Sequence, residues 1–153
     1  MSKEKENAND IVVWSDQFVT GIELIDNQHR ELVDLTNQLY QACMGGNEQV
    51  VAAFKDTMSQ MVEYVKYHFT TELELLKKIN YPYYNDHKIQ HDSLIKEILI
   101  AANEYQAGKK YTPHLFVRTL KDWVFSHIAY YDKGFAAFVA EQRSKGLLID
   151  ISP

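Results

Sequence analysis

Four of the six histidines in this chain stand at spacings that suit metal ligation, and a fifth lies on an apolar stripe. His68 and Glu72 are four residues apart, and so are His87 and His91. On a helix that separation puts both side chains on one face, about one turn apart. His127 and Asp132 are five apart. Five residues carry an ideal helix about 140° past its starting direction, so this pair converges less well, and a local widening such as a π-bulge near Tyr130–Asp132 would bring it in line. His29 stands alone on an apolar stripe. Singly, each feature has an ordinary explanation. His-x-x-x-Glu is commonly a solvated surface pair, a lone histidine on an apolar face is commonly a satisfied core residue, and His-x-x-x-His suggests zinc first. The conjunction is what points to a site, because burying five imidazoles and two carboxylates without partners is costly. Seven ligands are too many for one four-coordinate zinc. Five neutral imidazoles and two carboxylates suit two ions of iron or a similar first-row metal, each carboxylate bridging.

The elements that must hold these residues follow from scarce breakers: the chain has 6 Gly and 3 Pro. A first helix is expected over about 22–43, with Ile22, Ile25, His29, Leu32, Thr36 and Leu39 on one face, ended by Gly45-Gly46. A second, over about 47–78 with Asn47 as N-cap, turns Val51, Phe54, Met58, Met61, Val65, His68, Glu72 and Leu75 inward. Pro82 separates it from a third, about 84–106, with His87, His91, Leu94, Ile98 and Ala101 in register. Thr112-Pro113 opens a fourth, about 113–133, and Gly134 predicts a break before a short helix over about 135–143. Residues 1–10 read as a mobile arm, and Ile11–Phe18 as a short apolar stretch along the bundle. Four long helices with short connections predict an all-α, up-down-up-down four-helix bundle, a single domain with an N-terminal arm and a short C-terminal helix.

The ligand set also separates two kinds of di-iron bundle. The ferritin-like kind uses a Glu-x-x-His pair on each of two helices. That motif occurs nowhere here; the nearest is the single Asp26-x-x-His29. Instead the chain resembles the hemerythrins, and their bacterial single-domain form most closely. The resemblance covers about Trp14 to Asp132. It is carried by Trp14…Phe18…Gly21-Ile22…Ile25-Asp26-Asn27-Gln28-His29, His68-Phe69-Thr70-Thr71-Glu72, His87-Lys88-Ile89-Gln90-His91 and Trp123…His127-Ile128-Ala129-Tyr130-Tyr131-Asp132. It implies that His87, His91 and His127 ligate one iron and His29 and His68 the other. Glu72 and Asp132 would bridge the pair (Fe2+/Fe3+), with oxide or hydroxide as a third bridge. It implies reversible dioxygen binding at the open iron, in a pocket formed by Phe69, Trp123, Val124 and Ile128. Val124 departs from the leucine that such proteins often carry there, and a smaller side chain would widen access. His114, the sixth histidine, reads as a surface residue.

Composition sets the outer bounds. A chain of 153 residues suits one domain with a real core. A net charge of −5 and the lack of a Lys/Arg stripe argue against a nucleic-acid partner. Cys43 is the only cysteine, so no intrachain disulfide can form. No apolar run approaches the roughly 20 residues of a membrane span, and residues 1–10 lack a signal-peptide core. A cytoplasmic monomer is the expectation. An oxygen carrier or store is the leading function, ahead of an oxygen or nitric oxide sensor. A di-iron peroxidase-type enzyme ranks third, with oxygenase chemistry disfavoured because imidazole-rich ligation does not favour high-valent iron, and a purely structural bundle ranks fourth.

Overall fold

The computed structural model describes residues 10–43, 48–108 and 113–147. The expectations for the arm 1–9, Gly45-Gly46, the Asn47 and Thr112 caps and the tail beyond 147 lie outside these residues, as does the side chain of Val51. A 3-10 turn at Asp16–Phe18 precedes α1 (Glu23–Ala42), α2 (Glu48–Lys78), α3 (Tyr84–Gln106) and α4 (Pro113–His127). A π-helical segment, Ile128–Asp132, joins α4 to α5 (Lys133–Ser144). Helices adjacent in sequence pack together and α1 closes the ring against α4, which makes a four-helix bundle. No strand occurs among the described residues.

The widened turn that brings His127 and Asp132 into line is therefore present. Within it the Lys133 N–H is directed at the Ile128 carbonyl, five residues back. The break expected at Gly134 is not. Gly134 is helical, and the chain runs from α4 through the π segment into α5 without interruption. The physical reason is that one glycine costs a helix only about 1 kcal/mol, and the buried residues Phe135, Ala136 and Val139 anchor α5 to the bundle.

Two contacts fix the chain before α1. The Asn37 side chain accepts hydrogen bonds from the N–H groups of Ile11 and Val12, both 3.0 Å, and donates to the Val12 carbonyl at 2.9 Å. This ties the leading segment to the outside of α1, where Val12 and Phe18 are buried. Asp26 accepts from the Thr20 N–H and hydroxyl, both 2.7 Å, and from the Gly21 N–H at 3.1 Å. Gly21 adopts φ 79°, a conformation that favours glycine. Asp26 is thus occupied at the entrance to α1, and the single Asp-x-x-His is part of a turn.

The core is split along the bundle axis. A large apolar cluster includes Leu32, Phe54, Met61, Val65, Phe69, Leu94, Val124 and Ile128. A smaller one holds Ile22, Ile25, Leu75, Leu76, Phe135 and Val139. On α1, on α2 and along the last helical stretch, five or six residues separate the nearest buried members of the two clusters, and the polar residues His29, Glu72 and Asp132 fall in that gap. The site is a polar layer between two apolar ones. None of the helices, as far as described, is long and apolar enough to cross a membrane.

Candidate metal centre

All seven ligand-type residues meet in that layer. His29, His68, Glu72, His91 and Asp132 have no exposed surface, while His87 and His127 keep 2% and 6%. They form two overlapping groups, each with ligand atoms within 4.8 Å of one another: Glu72, His87, His91, His127 and Asp132, and His29, His68, Glu72 and Asp132. The two carboxylates are common to both.

Each carboxylate faces both groups, and Asp132 divides its oxygens between them. Asp132 Oδ2 lies 3.0 Å from His29 Nε2, whereas Oδ1 lies 3.1 Å from His127 Nε2 and 3.3 Å from His87 Nε2. Glu72 is less cleanly divided: Oε1 lies 3.1 Å from His87 Nε2, while Oε2 lies 3.2 Å from His68 Nε2 and 3.6 Å from His91 Nε2. Across the bundle the Nε2 atoms of His29 and His68 approach to 3.1 Å, and those of His91 and His127 to 3.0 Å. Every one of the five imidazoles turns Nε2 inward. The π segment is what allows His127 and Asp132 to join, since the extra residue in the turn rotates Asp132 back under His127.

The donor set fits cations. Glu72 Oε2 and both Asp132 oxygens are buried and have no well-directed hydrogen bond among the described residues; their near neighbours are imidazole Nε2 atoms. Orphaned buried acceptors on this scale are expensive unless a cation completes them. The titration behaviour has the same origin. Burial disfavours protonation of His87, but its hydrogen bonds to Asp132 and Glu72 outweigh burial and raise its pKa from 6.5 to about 9. For His29 burial is likewise outweighed, chiefly by Asp132, and the pKa rises. His91 goes the other way, to about 2, through burial and the neighbouring imidazoles of His127 and His87. Burial would raise the Asp132 pKa, yet the surrounding imidazoles, His127 first, hold it well below the usual carboxylate range. Protons at His87 and His29 occupy a site whose geometry offers lone pairs from seven side chains.

The surrounding apolar residues divide. Phe69 is buried and lies flat on His91, ring centroids 3.8 Å apart at 2°, with His127 and His68 at 5.6 and 5.8 Å. Val124 and Ile128 are buried in the large cluster. Trp123 is only half-buried and lines an open cleft of about 440 Å³ that reaches His127. A second cleft of about 450 Å³, lined by Tyr81, Tyr83, Tyr130 and Tyr131, reaches His87. Both clefts approach the three-histidine group. His114 is exposed near the start of α4, its ring against Tyr40, far along the helix from His127.

One contact had no role assigned from sequence. The buried Gln28 Oε1 lies 2.7 Å from His68 Nδ1. Its only signal in the sequence is a polar residue beside His29, and nothing local reveals that it reaches across to α2.

A four-helix bundle with a buried layer of five imidazoles and two shared carboxylates is the architecture of a dinuclear metal-binding protein. The chain belongs to the hemerythrin family: the model of the hemerythrin HHE cation binding domain matches residues 20–139. It is 32% identical over 147 residues to a bacteriohemerythrin of Stenotrophomonas maltophilia, covering 90% of this chain and 93% of that one. It is 34% identical over 130 residues to a bacteriohemerythrin of Clostridium acetobutylicum, covering 80% and 97%. A crystal structure of wild-type hemerythrin superposes with a TM-score of 0.75 at 25% identity, covering 83% of this chain and 96% of that one. Membership of this family implies a di-iron, oxygen-binding domain.

Proposed function

We propose that this protein binds dioxygen reversibly, as a carrier or store, at a pair of iron ions. The observation that carries the reading is the sharing of Glu72 and Asp132 between two ligand groups. His87, His91 and His127 would hold one ion and His29 and His68 the other, with oxide or hydroxide as a third bridge. When bound, the iron pair would supply the two electrons and the open coordination position that dioxygen binding needs.

The protein's own residues have three tasks in this reading. The imidazoles present neutral Nε2 lone pairs, and two carboxylates offset part of the metal charge, so the layer tolerates burial. Phe69, stacked on His91 and near His68 and His127, together with the buried Val124 and Ile128, keeps bulk water and anions from the polar layer, and so would keep bound oxygen from being released in reduced form. Two histidines on one side against three on the other would leave the open position on the His29–His68 side.

Anaerobic reduction followed by admission and removal of air tests the proposal. A visible absorption band that appears with oxygen and disappears on its removal, with two irons per chain by metal analysis, is the expected result. Irreversible bleaching to a ferric form would favour an enzyme or sensor instead, and one zinc per chain would refute the paired iron site.

A further inference from the structure

We infer that Gln28 is a positioning residue for the two-histidine side of the metal centre, and that its neutral amide, rather than a carboxylate, tunes the ion held there. The inference rests on the function proposed above. If Nε2 of His68 is to face a metal, its proton must sit on Nδ1, and Nδ1–H then needs an acceptor. The Gln28 carbonyl oxygen is that acceptor, at 2.7 Å between residues that are 5% and 0% exposed. The same dipeptide of α1 thus provides two services: His29 turns into the site, and Gln28 crosses to α2 to set the tautomer and ring orientation of His68. His29 Nδ1 and His91 Nδ1 have no such partner among the described residues, so the anchoring is selective.

The chemistry of the acceptor matters as much as its position. A carboxylate there would make a charge-assisted hydrogen bond, about twice as strong as a neutral one, and would give the imidazole partial imidazolate character. That raises ligand basicity and stabilises the ferric state. An amide orients the ring without that push, which favours the ferrous state that must persist between oxygen-binding cycles.

The test uses Gln28→Met, which removes the acceptor at similar volume, and Gln28→Glu, which keeps an oxygen and adds charge. Metal-depleted protein is titrated with Co2+ without oxygen, and the midpoint potential of the iron-loaded protein is measured by spectroelectrochemistry. Gln28→Met should weaken one of the two Co2+ sites by about 10- to 100-fold and spare the other. Gln28→Glu should restore that affinity and move the potential to lower values. Should Gln28→Met fail to fold by circular dichroism, the potential of Gln28→Glu decides alone. Wild-type affinity and potential in both variants would overturn the inference, as would equal weakening of both Co2+ sites in Gln28→Met. If the wild-type protein itself takes up no second ion, the paired site fails, and the inference with it.

Discussion

Kept free of metal, the protein should become less stable as the pH rises from neutrality. His87 shows the effect in numbers. Burial opposes its protonation, but hydrogen bonds to Asp132 and Glu72 raise its pKa from 6.5 to about 9. In the unfolded chain the value returns to about 6.5. Between these limits the folded state holds a proton that the unfolded state has released. The associated stability is complete below about pH 6.5 and gone above about pH 9. At about 1.4 kcal/mol per pH unit the loss is about 3 kcal/mol. Solvent screening takes little from this, since His87 is 2% exposed. His29, raised against its burial mainly by Asp132, acts in the same direction. His91, lowered to about 2, is neutral in the folded state throughout this window, so its influence falls below pH 6.5. For a chain of this size about 3 kcal/mol corresponds to a Tm drop of roughly 10 °C. Urea denaturation of chelator-treated protein at about pH 6.5, 7.5 and 9 measures it directly. Asp132→Asn should flatten the slope, because it removes the leading partner of both histidines. The metal-loaded protein should show the opposite trend, since ligation requires the imidazoles to give up their protons. Metal-free stability that stays flat or increases over this range would refute the electrostatic reasoning.

Glu72→Gln removes the charge of a carboxylate shared by both ligand groups, and should lower iron content below two per chain; full iron loading by metal analysis would contradict the shared role. Val124→Leu adds a methylene to a side chain that is 1% exposed and should slow autoxidation by closing space around the oxygen site, at a packing cost of about 1–3 kcal/mol; stopped oxygen uptake followed spectroscopically would show no change in rate if the idea is wrong. Gly134→Ala should stabilise the protein by about 0.5–1 kcal/mol, because the residue is helical and exposed and the added Cβ meets only the Tyr81 hydroxyl at 3.7 Å; a lower Tm in the variant would show that the glycine is needed there.

Much of the site was legible because its spacing is local. A helix fixes which residues share a face, so His68 with Glu72 and His87 with His91 could be paired before any helix was placed against another. The five-residue gap between His127 and Asp132 was informative for the opposite reason: it fails the ordinary helical period, and the failure itself pointed to the π segment that is found at Ile128–Asp132. Burial of His29 was also legible, because Ile25 and Leu32 flank it at helical intervals on an apolar stripe.

Other features depend on how the helices meet. The sharing of each carboxylate between two ligand groups depends on the relative rotation of α2, α3 and the π segment, which no single helix specifies. Gln28 reaches His68 only because α1 and α2 pack at that level, 40 residues apart in sequence. Asp26 had the residue type of a ligand, but the turn at Thr20-Gly21 takes both of its oxygens. Gly134 had the type of a breaker, yet the apolar residues of α5 keep the helix running past it. Sequence alone determined the ligand types, their order and the faces that carry them, because a period of 3.6 residues acts within one element. Tertiary packing decided which oxygen turns to which group, which polar neighbour anchors a ligand and which acid stays out, because those distances are set between elements.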